Sequence, residues 1–227
     1  MAVAVTTIET SSATCPSALR DGMAVAGVGQ RVWAIGDLQI LEQPLLGFFC
    51  STKCPGEIIL RTYDFAIALR EADVPIIGGF HTPMEKECLA LLLRGTQPMV
   101  ICPARSITQM RLPADWQRSV MANRLLLLSP FEAKHRRPTV ELTEQRNRFV
   151  AALSAHTLIA HAAPKSKTEA LCLELLRQNK QVFALGHPTN DHLFAAGTRA
   201  ATITALRTAV ARRPIEEGLG YVPEKDG

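Results

Sequence analysis

Six short runs along the chain are almost continuously apolar: Leu45 to Cys50, Val74 to Gly78, Met99 to Cys102, Leu125 to Leu128, Thr157 to Ala162 and Val182 to Leu185. Each stops at a turn rich in Gly, Pro, Ser or Thr, and longer segments of helical period separate them. Over Glu57 to Ala72 the residues Ile58, Thr62, Phe65, Ala66 and Leu69 share one stripe, and Lys167 to Gln178 repeats the device with Ala170, Leu171 and Leu175. Strands without polar alternation are buried on both faces, so helices must cover both sides of a mostly parallel sheet. The pattern predicts an extended Rossmann-like α/β fold over residues 31–205. Residues 1–30, rich in Ser, Thr, Ala and Gly, read as an N-terminal tail or docking segment, and 206–227 as a C-terminal tail.

Composition narrows the class. With 227 residues, 47% hydrophobic, 20% charged and 5% aromatic, the chain is neither collagen-like nor disordered nor a disulfide scaffold. No apolar stretch reaches the roughly 18 residues that span a bilayer, and the N-terminus lacks the charged front and apolar middle of a signal peptide. A cytoplasmic protein without membrane contact is expected. The six cysteines sit in or beside apolar runs, as buried thiols do, so disulfides are not expected. A net charge of +4 permits an anionic partner without requiring one.

In an open parallel sheet, ligands gather beyond the carboxyl ends of the strands, where helix N-termini present unpaired N–H groups. Four segments converge there: Ser51 to Gly56, Gly78 to Pro83, the stretch before Arg146-Asn147-Arg148, and Pro164 to Thr168. Thr82-Pro83-Met84-Glu85 and Ser166-Lys167-Thr168-Glu169 both fit a capping box, which explains them structurally, and Gly78 and Gly79 fit a turn. The cations point further. Helix dipoles favour acids in the first turn, yet Arg146, Arg148, Lys165 and Lys167 crowd two predicted helix starts. Either Glu141, Glu144 and Glu169 neutralise them, or they flank a phosphate site that also uses Gly78, Gly79, Ser166 and Thr168. The run Lys134-His135-Arg136-Arg137 is either an extension of that positive strip or a solvated face. A zinc site at Cys50, Cys54 and His81 lacks a fourth ligand at paired spacing, and neither a dinucleotide fingerprint, a P-loop nor a nucleophile triad occurs. No cofactor and no catalytic residue are expected.

The stretch Glu144-Gln145-Arg146-Asn147-Arg148-Phe149-Val150-Ala151-Ala152-Leu153-Ser154 resembles the "RNRIIAGLS" signature of the DprA/Smf family of DNA-processing proteins, within the SLOG group of Rossmann cores. Thr157 to Ala162, Lys165 to Ala170 and Gln181 to Gly186 follow at the family's spacing, and Ile35-Gly36-Asp37-Leu38 resembles the lead into its first strand, so the likeness spans about 32–200. The departures are specific. The family's Gly-Ser-Arg reads Cys50-Ser51-Thr52-Lys53, its Gly-Ile-Asp reads Thr82-Pro83-Met84, and an acid is replaced by His161. The resemblance implies a homodimer that binds single-stranded DNA and hands it to RecA during DNA uptake, transformation or repair. It also implies phosphate contacts from Arg146, Arg148, Lys165 and Lys167, with Ser51 and Lys53 across the cleft and Asn147 orienting the turn. With 8 Phe, 2 Trp and 2 Tyr, backbone contact should outweigh base stacking. Two other readings stand beside this one. The first is a pocket for a nucleotide-like small molecule, without the carboxylate that LOG-type hydrolases need because Leu171 occupies that place. The second is an interaction module with a vestigial site.

Overall fold

In the computed structural model, which describes residues 4–211, the six apolar runs form the centre of a nine-stranded sheet. They become β3 (Leu46–Cys50), β4 (Ile76–Gly78), β5 (Met99–Ile101), β6 (Leu125–Ser129), β7 (His156–His161) and β8 (Val182–Ala184). Three further strands complete it: β1 (Thr6–Glu9), β2 (Arg31–Ile35) and β9 (Arg199–Ala200). The order is β1-β2-β6-β5-β4-β3-β7-β8-β9, with β1 and β2 antiparallel to their neighbours and all other pairs parallel. This is the expected mostly parallel, Rossmann-like α/β fold.

Among the described residues, eight α-helices cover the sheet: α1 (Ser17–Ala26), α2 (Gly56–Glu71), α3 (Pro83–Leu92), α4 (Ala114–Met121), α5 (Val140–Leu153), α6 (Lys167–Arg177), α7 (Asp191–Ala195) and α8 (Ile203–Ala211). Because side chains alternate across a strand, an all-apolar run feeds two cores at once. Leu126 and Leu128 pack with Phe49, Ile77 and Val100 beneath α1, α5 and α6, while Leu125 and Leu127 pack with Phe48, Ile76 and Ile101 beneath α2, α3 and α4. Each such side chain contributes about 1.5–3 kcal/mol of transfer free energy, which is why these runs resist any polar substitution.

Among the described residues, both segments flanking the central 31–205 region carry structure. Residues 4–30 supply the edge strand β1 and the helix α1, whose Leu19 and Met23 are fully buried against α5. Gly22 allows that approach: a Cβ there would lie 2.6 Å from Leu153 Cδ2. At the other end, the tail expected from 206 begins inside α8, where Leu206 and Val210 join the second core. Its remainder, 212–227, lies outside the described residues.

From β3 the chain builds outward through β4, β5 and β6, then returns to the opposite side of β3 for β7, β8 and β9. The crevice between the carboxyl ends of β3 and β7 is therefore the topological switch point, where neighbouring connections leave in opposite directions. A bulge marks it: the register steps from Phe49↔Ile159 to Cys50↔His161.

Candidate functional site

A cleft of about 560 Å³ opens at this switch point, lined by Lys53, Cys54 and Pro55 after β3 and by His161, Ala163 and Pro164 from β7 and its loop. Ser51 ties the two loops together. Its backbone N–H donates to the His161 carbonyl at 2.9 Å, and its hydroxyl accepts from the Ala163 N–H at 3.0 Å and donates to Ser166 Oγ at 3.1 Å. Ser166 in turn caps α6, accepting from the Glu169 N–H at 3.1 Å, so both hydroxyls are engaged in holding the cleft's walls. Lys53 lines the cleft and Lys165 follows its lining residue Pro164; both are exposed, and neither forms an ion pair among the described residues. Lys165 sits in the left-handed region, φ 60°.

His161, buried at 2% exposure, lies at the base of the cleft. Its Nδ1 is 2.9 Å from Asn190 Oδ1, and Asn190 Nδ2 donates to the carbonyls of Ala160 and Leu185, each at 2.9 Å. With the amide nitrogen committed to carbonyls, Oδ1 must accept, so the neutral imidazole carries its proton on Nδ1 and keeps Nε2 as an acceptor. Burial lowers its pKa below the ordinary value; the Asn190 bond opposes this, and His192 and His187 reinforce it.

The helix α5 begins at Val140, where Thr139 Oγ1 accepts from the Leu142 N–H at 3.2 Å, so Arg146 and Arg148 lie in mid-helix and not at a helix start. Arg146 is not a surface cation: it is 2% exposed, its Nη1 donates to the Cys102 carbonyl at 3.1 Å and its Nε to Asn147 Oδ1 at 2.8 Å. Desolvation lowers the guanidinium's pKa, and the nearby charge of Glu85 opposes that. The expected phosphate contact from Arg146 is thus corrected to a buried positioning role, and Asn147 orients that arginine. Gly79 belongs to the same arrangement, since a Cβ there would fall 1.6 Å from Arg146 Nη1. Gly78 is buried within β4 and offers no open backbone to a ligand.

The remaining cations are largely neutralised. Lys167 pairs with Glu144, and Arg148 Nε lies 3.7 Å from Glu174 Oε2; with Asn147 these line a small cleft of about 160 Å³. Thr168 is half-buried in the first turn of α6. The crowding that suggested an anion is therefore answered at these two side chains by glutamates from a facing helix. In the basic run, Lys134 pairs with Glu132 at 2.9 Å, while Arg136 and Arg137 are exposed.

The capping box at Thr82 is present: Thr82 Oγ1 accepts from the Glu85 N–H at 3.3 Å and Glu85 Oε2 accepts from the Thr82 N–H at 3.2 Å. Glu85 does more than cap. It also accepts from the N–H groups of His81 at 2.8 Å and Cys50 at 3.0 Å, and so fastens the loop after β4 to the end of β3. Sequence reading did not find this link, nor Asn190 beneath His161; neither has a local signal.

A family model for DNA recombination-mediator protein A matches residues 7–212, from β1 through α8. The chain belongs to the DprA family. DprA-family membership takes in the N-terminal strand and helix that lay outside the 32–200 likeness. Among solved structures, DprA from Streptococcus pneumoniae superposes with a TM-score of 0.70 at 18% identity, covering 90% of this chain and 73% of that one. DNA processing protein A from Helicobacter pylori, described for its single-stranded DNA binding mode, gives 0.69 at 19% identity, covering 91% and 95%. The molybdenum cofactor carrier protein of Chlamydomonas reinhardtii gives 0.51 at 13% identity, covering 75% and 100%. At these identities the likeness establishes the shared fold. No curated protein matches the chain.

Proposed function

We propose that this DprA-family protein binds single-stranded DNA across the cleft between β3 and β7, by backbone contact and without turnover. The observation that carries it is Lys53 in the lining of a crevice of ligand size, with Lys165 exposed next to the lining residue Pro164, both cations without an acidic partner among the described residues. Phosphates laid along the crevice find both charges and the N-terminus of α2 beside Lys53. Arg148 and Lys167 join on strand binding by exchanging their half-buried glutamate partners for phosphate, an exchange that costs little because ion pairs open to solvent are worth only about 0–1 kcal/mol. Among the described residues no Phe, Tyr or Trp lines the cleft, so affinity rests on charge. Family membership extends the reading to a cytoplasmic homodimer that passes its strand to RecA in recombination or DNA uptake.

Photo-crosslinking of a short oligonucleotide, followed by peptide mapping, tests the location. Adducts on the segments 51–56 and 163–168 are expected. Adducts confined to other faces, or protection by a free nucleotide in place of a strand, would contradict it and favour a small-molecule pocket.

A further inference from the structure

Four buried side-chain atoms among the described residues lack a hydrogen-bond partner: Gln97 Oε1, His156 Nδ1, His192 Nε2 and Thr198 Oγ1. Nε2 of His161 also lacks a protein partner, but it is not sealed in, and the opening that His161 lines is the cleft between β3 and β7. The rest of the residue is fixed. His161 is 2% exposed, its Nδ1 is held at 2.9 Å by Asn190 Oδ1, and Asn190, itself 0% exposed, is pinned by its two bonds to the carbonyls of Ala160 and Leu185. That chain of bonds leaves Nε2 an acceptor whose partner must come from the cleft. Burial, which lowers the pKa, keeps the ring in this neutral form near neutral pH. The walls agree with the acceptor. Cys54, Pro55, Ala163 and Pro164 make up most of the lining, a largely apolar surround unlike the ring of donors that a phosphate alone calls for, and the volume of about 560 Å³ is that of a small-ligand site.

Chemistry limits what such an acceptor can meet. Inside a DNA strand the phosphate, ester and sugar-ring oxygens all accept; protons are offered only by N–H groups on the base edges, at N6 of adenine, N4 of cytosine, N1 and N2 of guanine and N3 of thymine. A phosphate laid over Nε2 would strip its water and return no proton, leaving the acceptor orphaned. We propose that one nucleobase of the bound strand turns into the cleft, lies against its apolar walls and donates an edge N–H to His161 Nε2. Lys53 and Lys165 hold phosphates of the same strand while His161 reads one base edge, and Asn190 sets the tautomer that makes this possible. The proposal rests on the cleft being the DNA site.

The test compares an oligodeoxythymidine, whose bases each carry a single donor at N3, with the same oligomer built from N3-methyldeoxythymidine, which keeps the charge and loses that proton. By anisotropy the wild type should bind the methylated strand roughly tenfold more weakly. His161→Leu, its folding checked by circular dichroism, should bind both strands alike; a variant that still prefers the unmethylated strand would show the methyl group acting by size and would overturn the hydrogen bond. The wild type gives a second reading that needs no variant. With isotope-labelled histidine, the resonance of one unprotonated ring nitrogen should move upfield when oligodeoxythymidine is added, as a nitrogen does on accepting a proton donor, and should not do so at saturation with the methylated strand. No such movement while oligodeoxythymidine binds, equal movement with both strands, or equal wild-type affinity for the two, overturns the base contact and leaves a phosphate-binding cleft standing. A wild type that binds no oligodeoxythymidine at any salt concentration is the separate failure of the cleft as the DNA site, and overturns this proposal with it.

Discussion

Replacing Arg146 with alanine separates a buried positioning role from a phosphate contact. The guanidinium is 2% exposed, donates to the Cys102 carbonyl and Asn147 Oδ1, and lies under Gly79 near the charge of Glu85. Alanine removes both bonds, leaves the Cys102 carbonyl without this donor, and takes away a positive charge close enough to feel Glu85. Removing one partner of a buried charged arrangement typically costs about 3–5 kcal/mol. Glu85 keeps its backbone donors from Cys50, His81 and Thr82, so the lower part of that range is expected. About 3 kcal/mol is a large share of the 5–15 kcal/mol that holds a typical domain together, and corresponds to a melting temperature lower by roughly 10 °C. Urea unfolding followed by circular dichroism reads it directly. A loss below about 1 kcal/mol together with markedly weaker strand binding would refute the assignment, since that pattern belongs to a surface cation.

Three other outcomes follow from the structure. Burial depresses His161, and His81 and His156 shift the same way, so the unfolded chain takes up protons first as pH falls below about 6.5. Stability is complete above that pH and declines beneath it until the folded imidazoles also protonate; a scanning calorimetry series from pH 7.5 to 5 should show the fall, and His161→Gln should make it shallower, whereas an unchanged slope contradicts the burial argument. Deleting residues 1–30 removes β1 and α1 and bares the core that Leu19 and Met23 cover, so soluble yield should collapse; recovery of a folded, monodisperse truncation would show α1 to be dispensable. Gly22→Val sets a branched side chain where even a bare Cβ would come within 2.6 Å of Leu153 Cδ2, and should cost about 1–3 kcal/mol in urea midpoint analysis; a neutral result would mean α1 and α5 can separate freely.

The central sheet was readable because its strands are apolar on both faces, which leaves a continuous signal over runs such as Leu125 to Leu128. The outer strands carry no such signal. β1 is the polar edge segment Thr6–Glu9, and β9 has two residues, both exposed. α1 was obscured by the small residues around it, although Leu19, Met23 and Ala26 hold a helical spacing and are buried. At the site, the loops after β3 and β7 were legible from turn residues and strand ends. The fate of the cations was not: whether Arg146 points outward depends on Gly79 and Cys102, and whether Lys167 is neutralised depends on Glu144, partners that are distant in sequence and brought near by helix packing.

Salt dependence of strand binding, measured by anisotropy on the wild type and on Lys53→Ala/Lys165→Ala, tests the cleft most directly. Each phosphate neutralised on a single strand contributes about −0.7 to the slope of log K against log salt concentration. The wild type should show a steep negative slope, and the double variant should be shallower by about 1.4 and bind more weakly at low salt. Equal slopes in the two proteins, or a wild-type affinity indifferent to salt, would contradict a DNA path between these two lysines.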